Sequence, residues 1–197
     1  MNEAALIGRM LEVIEDDIVP MTRREVRRGN KVFGAAILRK SDLSVVIAET
    51  NDEVENPLWH GEMHALKRLY ELDAAARPAP RECIFLATHE PCPLWLSAIT
   101  WGGYDNFWYL FDYQDTRDAF AIPHDLRIFS EVFGVENGAY NASNAYWQAR
   151  AIKPAIAGLE GGEQKPLEAR VAALTSIYAE LSAVYQGSKG GTEIPLA

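Results

Sequence analysis

Two cysteines, Cys83 and Cys92, are all that the chain carries. That is too few for a disulfide framework and suits a reducing compartment. No run of about 18 apolar residues is present to span a bilayer. The opening Met1-Asn2-Glu3-Ala4 lacks the basic stretch and apolar core of a secretory signal. A cytoplasmic protein without a membrane partner is the expectation. Positive charge is also in short supply, with 19 Lys and Arg against 28 Asp and Glu and a net charge of −9. Such a surface repels phosphate backbones, and no basic stripe relieves it, so nucleic acid is not an expected partner. From Asn141 onward five basic and five acidic residues cancel, which places the whole acidic excess ahead of that point. One local exception is Arg23, Arg24, Arg27, Arg28 and Lys31 around Glu25, read as a solvated face. Apolar residues are plentiful, at 48% of 197 positions with 10% aromatic, ample for one packed domain.

Helices and strands alternate along the chain. Leu6, Met10, Val13 and Ile14 predict a helix over 3–17. Residues 31–38 and 44–48 read as two strands joined by the turn at Lys40-Ser41-Asp42, a hairpin. A helix is expected from about Pro57 to Leu72, with the proline in its first turn. Residues 83–88 form a nearly continuous apolar run, the mark of a buried central strand. A helix to about Trp101 should follow, then a strand over 107–111 and helices over 116–120 and 124–133. A further helix is expected over 143–157, ended or bent near Pro154. Leu167, Val171, Leu174, Tyr178, Leu181 and Tyr185 then stripe a long helix, with a loose tail at 187–191. This order gives an α/β layered domain over 1–140, with a helical extension over 141–197 that holds a Gly-rich linker and tail. The striped helix and the aromatic strand carry enough apolar surface to suggest a homodimer.

Two short stretches carry the chemistry. His60-Gly61-Glu62-Met63 opens one helix, and Glu90-Pro91-Cys92-Pro93 lies between the central strand and the next. About thirty residues separate them. A His-x-Glu joined at this range to Pro-Cys-x-x-Cys is the zinc nucleobase-deaminase pattern, with His and two Cys as metal ligands and Glu as proton carrier. A catalytic zinc takes three protein donors and leaves one place to water, whose pKa falls to roughly 7. Cys92 in a first helical turn would be favoured as thiolate by the free N–H groups there.

These stretches, together with Phe33-Gly34-Ala35-Ala36-Ile37, Glu49-Thr50-Asn51 and Ser97-Ala98-Ile99, resemble the cytidine/deoxycytidylate deaminase superfamily. The likeness covers roughly residues 3–135 and is strongest to its guanine deaminase and tRNA adenosine deaminase branch. It implies a three-layer α/β/α fold with a five-stranded mixed sheet, here with extra C-terminal helices, and usually a dimer. It implies zinc held by His60 and Cys92, Glu62 as proton shuttle, and Asn51 on the substrate. The expected activity is that of an aminohydrolase acting on C–N bonds in a cyclic amidine, on a small free base, nucleoside or related amino-heterocycle. Trp59, together with Phe111 or Tyr113, is a candidate wall against a flat ring. Gly61 stands where this group usually has Ala.

One position departs sharply. Trp95 occupies the place of the third zinc ligand, and an indole nitrogen only donates. Zinc occupancy is therefore expected to be low. His89, at the strand's end, and His64, four residues after His60, are the candidate replacements. The alternative function is a metal-poor relative kept as a binding or oligomer-forming protein.

Overall fold

Side chains along the strands alternate between two cores, and that alternation builds three layers. The computed structural model describes residues 2–188, 191 and 193–196. Its sheet has the order β2-β1-β3-β4-β5, from β1 (Gly34–Arg39), β2 (Val45–Thr50), β3 (Cys83–His89), β4 (Asn106–Phe111) and β5 (Gln148–Ala151). β1 runs antiparallel to β2 and β3, while β3, β4 and β5 are parallel. The sheet is therefore mixed and five-stranded, with helices on both faces, as expected.

Ala36, Leu38, Ile84, Leu86, Trp108 and Leu110 pack on one face against α1 (Glu3–Val13), α7 (Ile152–Ala157) and α8 (Gln164–Ser188). Ala35, Ile37, Phe85 and Phe107 pack on the other against α3 (Gly61–Glu71) and α4 (Pro93–Gly102). β3 is buried along its whole length, which explains why its sequence shows no polar alternation. Gly103 ends α4 in the left-handed conformation, at φ 77°.

Several boundaries differ from the sequence expectation. The first helix does not stop near residue 17. A π turn over Ile14–Ile18 carries it into α2 (Val19–Glu25), and Pro20 sits in the first turn of that segment. Pro57 lies in a loop, and α3 begins four residues later at Gly61, with His60 at its N-cap position. α5 spans Tyr113–Asp118 with a capping box between Asp112 and Asp115, and α6 spans His124–Phe133. The helix expected over 143–157 is a correction. Residues Gln148–Ala151 pair with β4 instead, and only Ile152–Ala157 is helical. The open edge of β4 supplies hydrogen bonds that local helix propensity cannot outweigh. The fifth strand therefore lies beyond residue 140.

The stripe on α8 is spent within the chain, for Leu167, Leu174, Tyr178, Leu181 and Tyr185 are buried against the sheet layer. Phe107, Trp108, Leu110 and Phe111 are buried as well. The two surfaces that suggested a dimer are thus covered by the chain itself. Of the tail expected at 187–191, residues 189 and 190 lie outside those described.

Gly61 explains its own departure from Ala. A Cβ there would stand 2.7 Å from the Gly34 Cα and 3.0 Å from the Phe33 carbonyl oxygen. Both obstacles are backbone and cannot swing aside. Gly61→Ala should cost about 1–3 kcal/mol by forcing α3 off β1, read as a lower urea midpoint at unchanged m-value. An unchanged midpoint would show that the two backbones separate freely.

Candidate active site

Two helix starts meet at one end of the sheet. His60 occupies the N-cap position of α3 and Cys92 that of α4, both in extended backbone and neither with a side-chain capping bond. The His60 Nδ1 lies 3.3 Å from the Cys92 Sγ. Glu62 follows in the first turn of α3 and is buried. The sequence-predicted triplet His60, Glu62 and Cys92 is therefore brought together from segments about thirty residues apart.

Asn51 sets the α3 start. Its Oδ1 accepts from the Gly61 N–H at 2.6 Å, and its amide donates to Glu53 Oε2 at 2.8 Å. As it stands, Asn51 serves the scaffold. Glu53 Oε1 also pairs with the Lys31 ammonium at 2.6 Å and lies 3.7 Å from His60 Nε2.

Burial dominates the electrostatics. It pushes the Glu62 carboxyl up to about 8, with a smaller contribution from Asp125. It pushes Asp125 up to about 7, against the pull of Lys31. Desolvation lowers His60, partly opposed by Glu53, so its imidazole is neutral at neutral pH. Cys92 is raised well above the ordinary thiol value by burial, then by Asp125 and Glu62. The N–H groups of Trp95 and Leu94 pull it down, as a helix start should, but by less. The thiol is held protonated, contrary to the expectation from helix position alone.

A cavity of about 370 Å³ opens beside this cluster. His60, Lys31, Glu53, His124 and Asp125 supply its polar wall, and Phe33, Leu94, Ile122 and Ile194 are among its apolar residues. Glu62 and Cys92 are not among its lining residues. Trp59 is turned outward, stacked on His64 at 5.9 Å with the Lys67 ammonium 4.3 Å above it. Phe111 is wholly buried in a ring cluster with Phe120 and Tyr178. Neither reaches the cavity wall. Sequence reading missed Lys31, Glu53, Asp125 and the 194–196 segment. An acid two residues past Asn51 and a lysine opening an apolar strand were the available signals.

Trp95 is fully buried between α4 and the sheet, 4.7 Å from the Phe85 ring and 5.0 Å from Phe107. Its Nε1–H has no hydrogen-bond partner among the described residues. The separation of His60 Nδ1 and Cys92 Sγ is close to the about 3.5 Å edge of a zinc tetrahedron built from usual bond lengths. This pair fits one such edge, and the sequence resemblance assigns the third corner to Trp95. Among the described residues no three His, Cys, Asp or Glu side chains gather as metal ligands. The replacements considered are engaged elsewhere. His64 Nδ1 faces the Thr50 carbonyl at 3.0 Å, and His89 Nδ1 faces the Thr88 hydroxyl at 2.9 Å. The residues present do not make a three-donor catalytic zinc site.

No family profile matches the sequence, and no curated protein matches it either. Solved structures do match. The guanine deaminase of Nitrosomonas europaea superposes with TM-score 0.51 at 19% identity, over 92% of this chain and 85% of that one. The guanine deaminase of Bacillus subtilis gives 0.50 at 22% identity, over 74% and 88%. The chain has the cytidine-deaminase-like fold.

Two outcomes follow from this geometry. Zinc per chain should fall well below one equivalent by elemental analysis, and Trp95→Cys should raise it towards one. The same change removes a buried indole at a cost of about 3–5 kcal/mol, so zinc should also raise the variant's melting temperature. Full occupancy with Trp95 in place would reverse the assignment. His89, driven down to about 3 by burial among aromatic rings, must fold neutral. Its folded value lies below the ordinary 6.5, so the stability tied to it is complete above about pH 6.5. That stability is lost as pH falls towards 3, by up to about 1.4 kcal/mol per pH unit. Urea melts at pH 7.5 and 5.0 should show a smaller loss in His89→Gln than in the parent.

Proposed function

We propose that this chain is a hydrolytic deaminase of a small amino-heterocycle, a free base or nucleoside, with Glu62 as the proton carrier. The observation that carries the reading is the Glu62 carboxyl. It is buried in the first turn of α3, raised to about 8 and grouped with the His60–Cys92 pair beside a cavity. A shifted acid in such a place is the usual mark of proton-transfer work. The likeness of fold to two guanine deaminases supports the reaction class.

In this reaction water adds to the amino-bearing ring carbon. As the carboxylate, Glu62 takes a proton from the water for the ring nitrogen, then passes the added hydroxyl's proton to the departing amine. The C–N bond breaks, ammonia leaves and a ring carbonyl remains. Asn51 holds the α3 start that aims Glu62, and neutral His60 presents a ring nitrogen to the cavity. The zinc dependence implied by the sequence resemblance is weakened by the missing third donor, so no step is assigned to a metal.

The net charge of −9 opposes a polynucleotide substrate. Among the described residues no helix is long and apolar enough to cross a membrane. The homodimer now rests on exposed apolar residues such as Trp101, 91% accessible at the end of α4. A second reading, a metal-poor binding protein, is favoured by one observation, the buried indole of Trp95 where a third donor would stand.

Ammonia release from a panel of purines, pyrimidines and amino-triazines separates the two readings. We expect release from at least one member. Glu62→Gln replaces a neutral acid with a neutral amide of the same shape, so the melting temperature should hold while kcat falls by at least about a hundredfold. Binding without ammonia release would favour the second reading, and a variant with full turnover would remove Glu62 from the chemistry.

A further inference from the structure

Lys31 is a buried charge to which the reaction assigns no role. Its side chain is 5% exposed and that of its partner Glu53 is 1%. Glu53 is held on several sides, by the Asn51 amide and the Lys31 backbone N–H on Oε2 and by the Lys31 ammonium on Oε1. The ammonium is less well served. It has three N–H donors, and among the described residues its hydrogen bond is to Glu53. Both residues face the cavity of about 370 Å³ that His60 also lines. Exchanging a buried ion pair for apolar residues is often neutral or stabilising. A pair of this kind on a cavity wall therefore calls for a use other than stability.

We infer that Lys31 and Glu53 are the recognition pair of this cavity, and that the ligand is an uncharged flat heterocycle offering a ring nitrogen or carbonyl oxygen to the Lys31 ammonium. This rests on the proposed action on a small amino-heterocycle and adds which residues select the ring and which charge they accept. An anion would approach Lys31 against the Glu53 carboxylate and the Asp125 carboxyl on the same wall. A cation would meet the ammonium itself. Apart from His60 and His124, the rest of the wall is apolar, from Phe33 and Leu94 to Ile122 and Ile194, and suits a ring face. Pro57 and Leu58 on one side and Ile194, Pro195 and Leu196 on another limit the bulk that fits. Such a volume is near the lower end of small-molecule sites. A phosphorylated nucleoside brings both the wrong charge and excess size.

Titration calorimetry on the full chain tests this with adenine, cytosine and guanine against AMP, CMP and GMP. At least one base should bind tenfold or more tightly than its monophosphate. The double variant Lys31→Met with Glu53→Gln removes both charges together, which avoids stranding one of them. It should bind that base about ten- to a hundredfold more weakly, the range for a hydrogen bond to a charged group, with its circular dichroism unchanged. If the double variant does not fold, wild-type protein is titrated with deaza-adenines, each with one ring nitrogen replaced by C–H, and at least one should lose tenfold. Equal affinity of base for parent and double variant would overturn the inference. So would tighter binding of a monophosphate, deaza analogues that all bind like adenine, or no binding of any base. Binding that depends on Lys31 without ammonia release would uphold this inference and refute the proposed reaction. Ammonia release unaffected by the double variant would do the reverse.

Discussion

The backbone contact between Gly61 and Gly34 places almost everything else at this site. With no side chain on either residue, the first turn of α3 seats directly on the start of β1, and the Asn51 side-chain Oδ1 accepts from the Gly61 N–H. That seat brings His60 to Cys92 and aims Glu62 inward. It also leaves Glu62 in a place from which water is largely excluded, and burial is the leading cause of its raised pKa. One steric constraint thus sets both the geometry and the acidity of the group proposed to move protons.

On the inner side Trp95 gives α4 a large apolar anchor against Phe85 and Phe107. On the outer side the Lys31–Glu53 pair joins His60, His124 and Asp125 on a wall whose other residues are apolar. The site pairs its Lys31 charge with Glu53, despite the strongly acidic composition of the chain. The acidic excess therefore belongs to the surface and bears on which partners approach, while the cavity obeys local pairing.

Sequence alone determined the layers, the central strand and the meeting of His60, Glu62 and Cys92. Those features rest on local patterns: a continuous apolar run for β3, proline and glycine at the bounds of α4, and residue spacing at two helix starts. Three matters were decided only by the tertiary structure. Residues 148–151 became a strand because β4 offered an unpaired edge, which no local propensity reports. Trp59 and Phe111 went elsewhere, to the outer face of α3 and to the ring cluster around Tyr178, because aromatic side chains go where neighbours fill space around them. Lys31 left its apparent basic cluster to pair with Glu53, for a charge beside a strand start pairs with whatever folding brings within reach. Short-range periodicity is written along the chain. The partners of edges, large rings and buried charges are not, because each depends on residues distant in sequence.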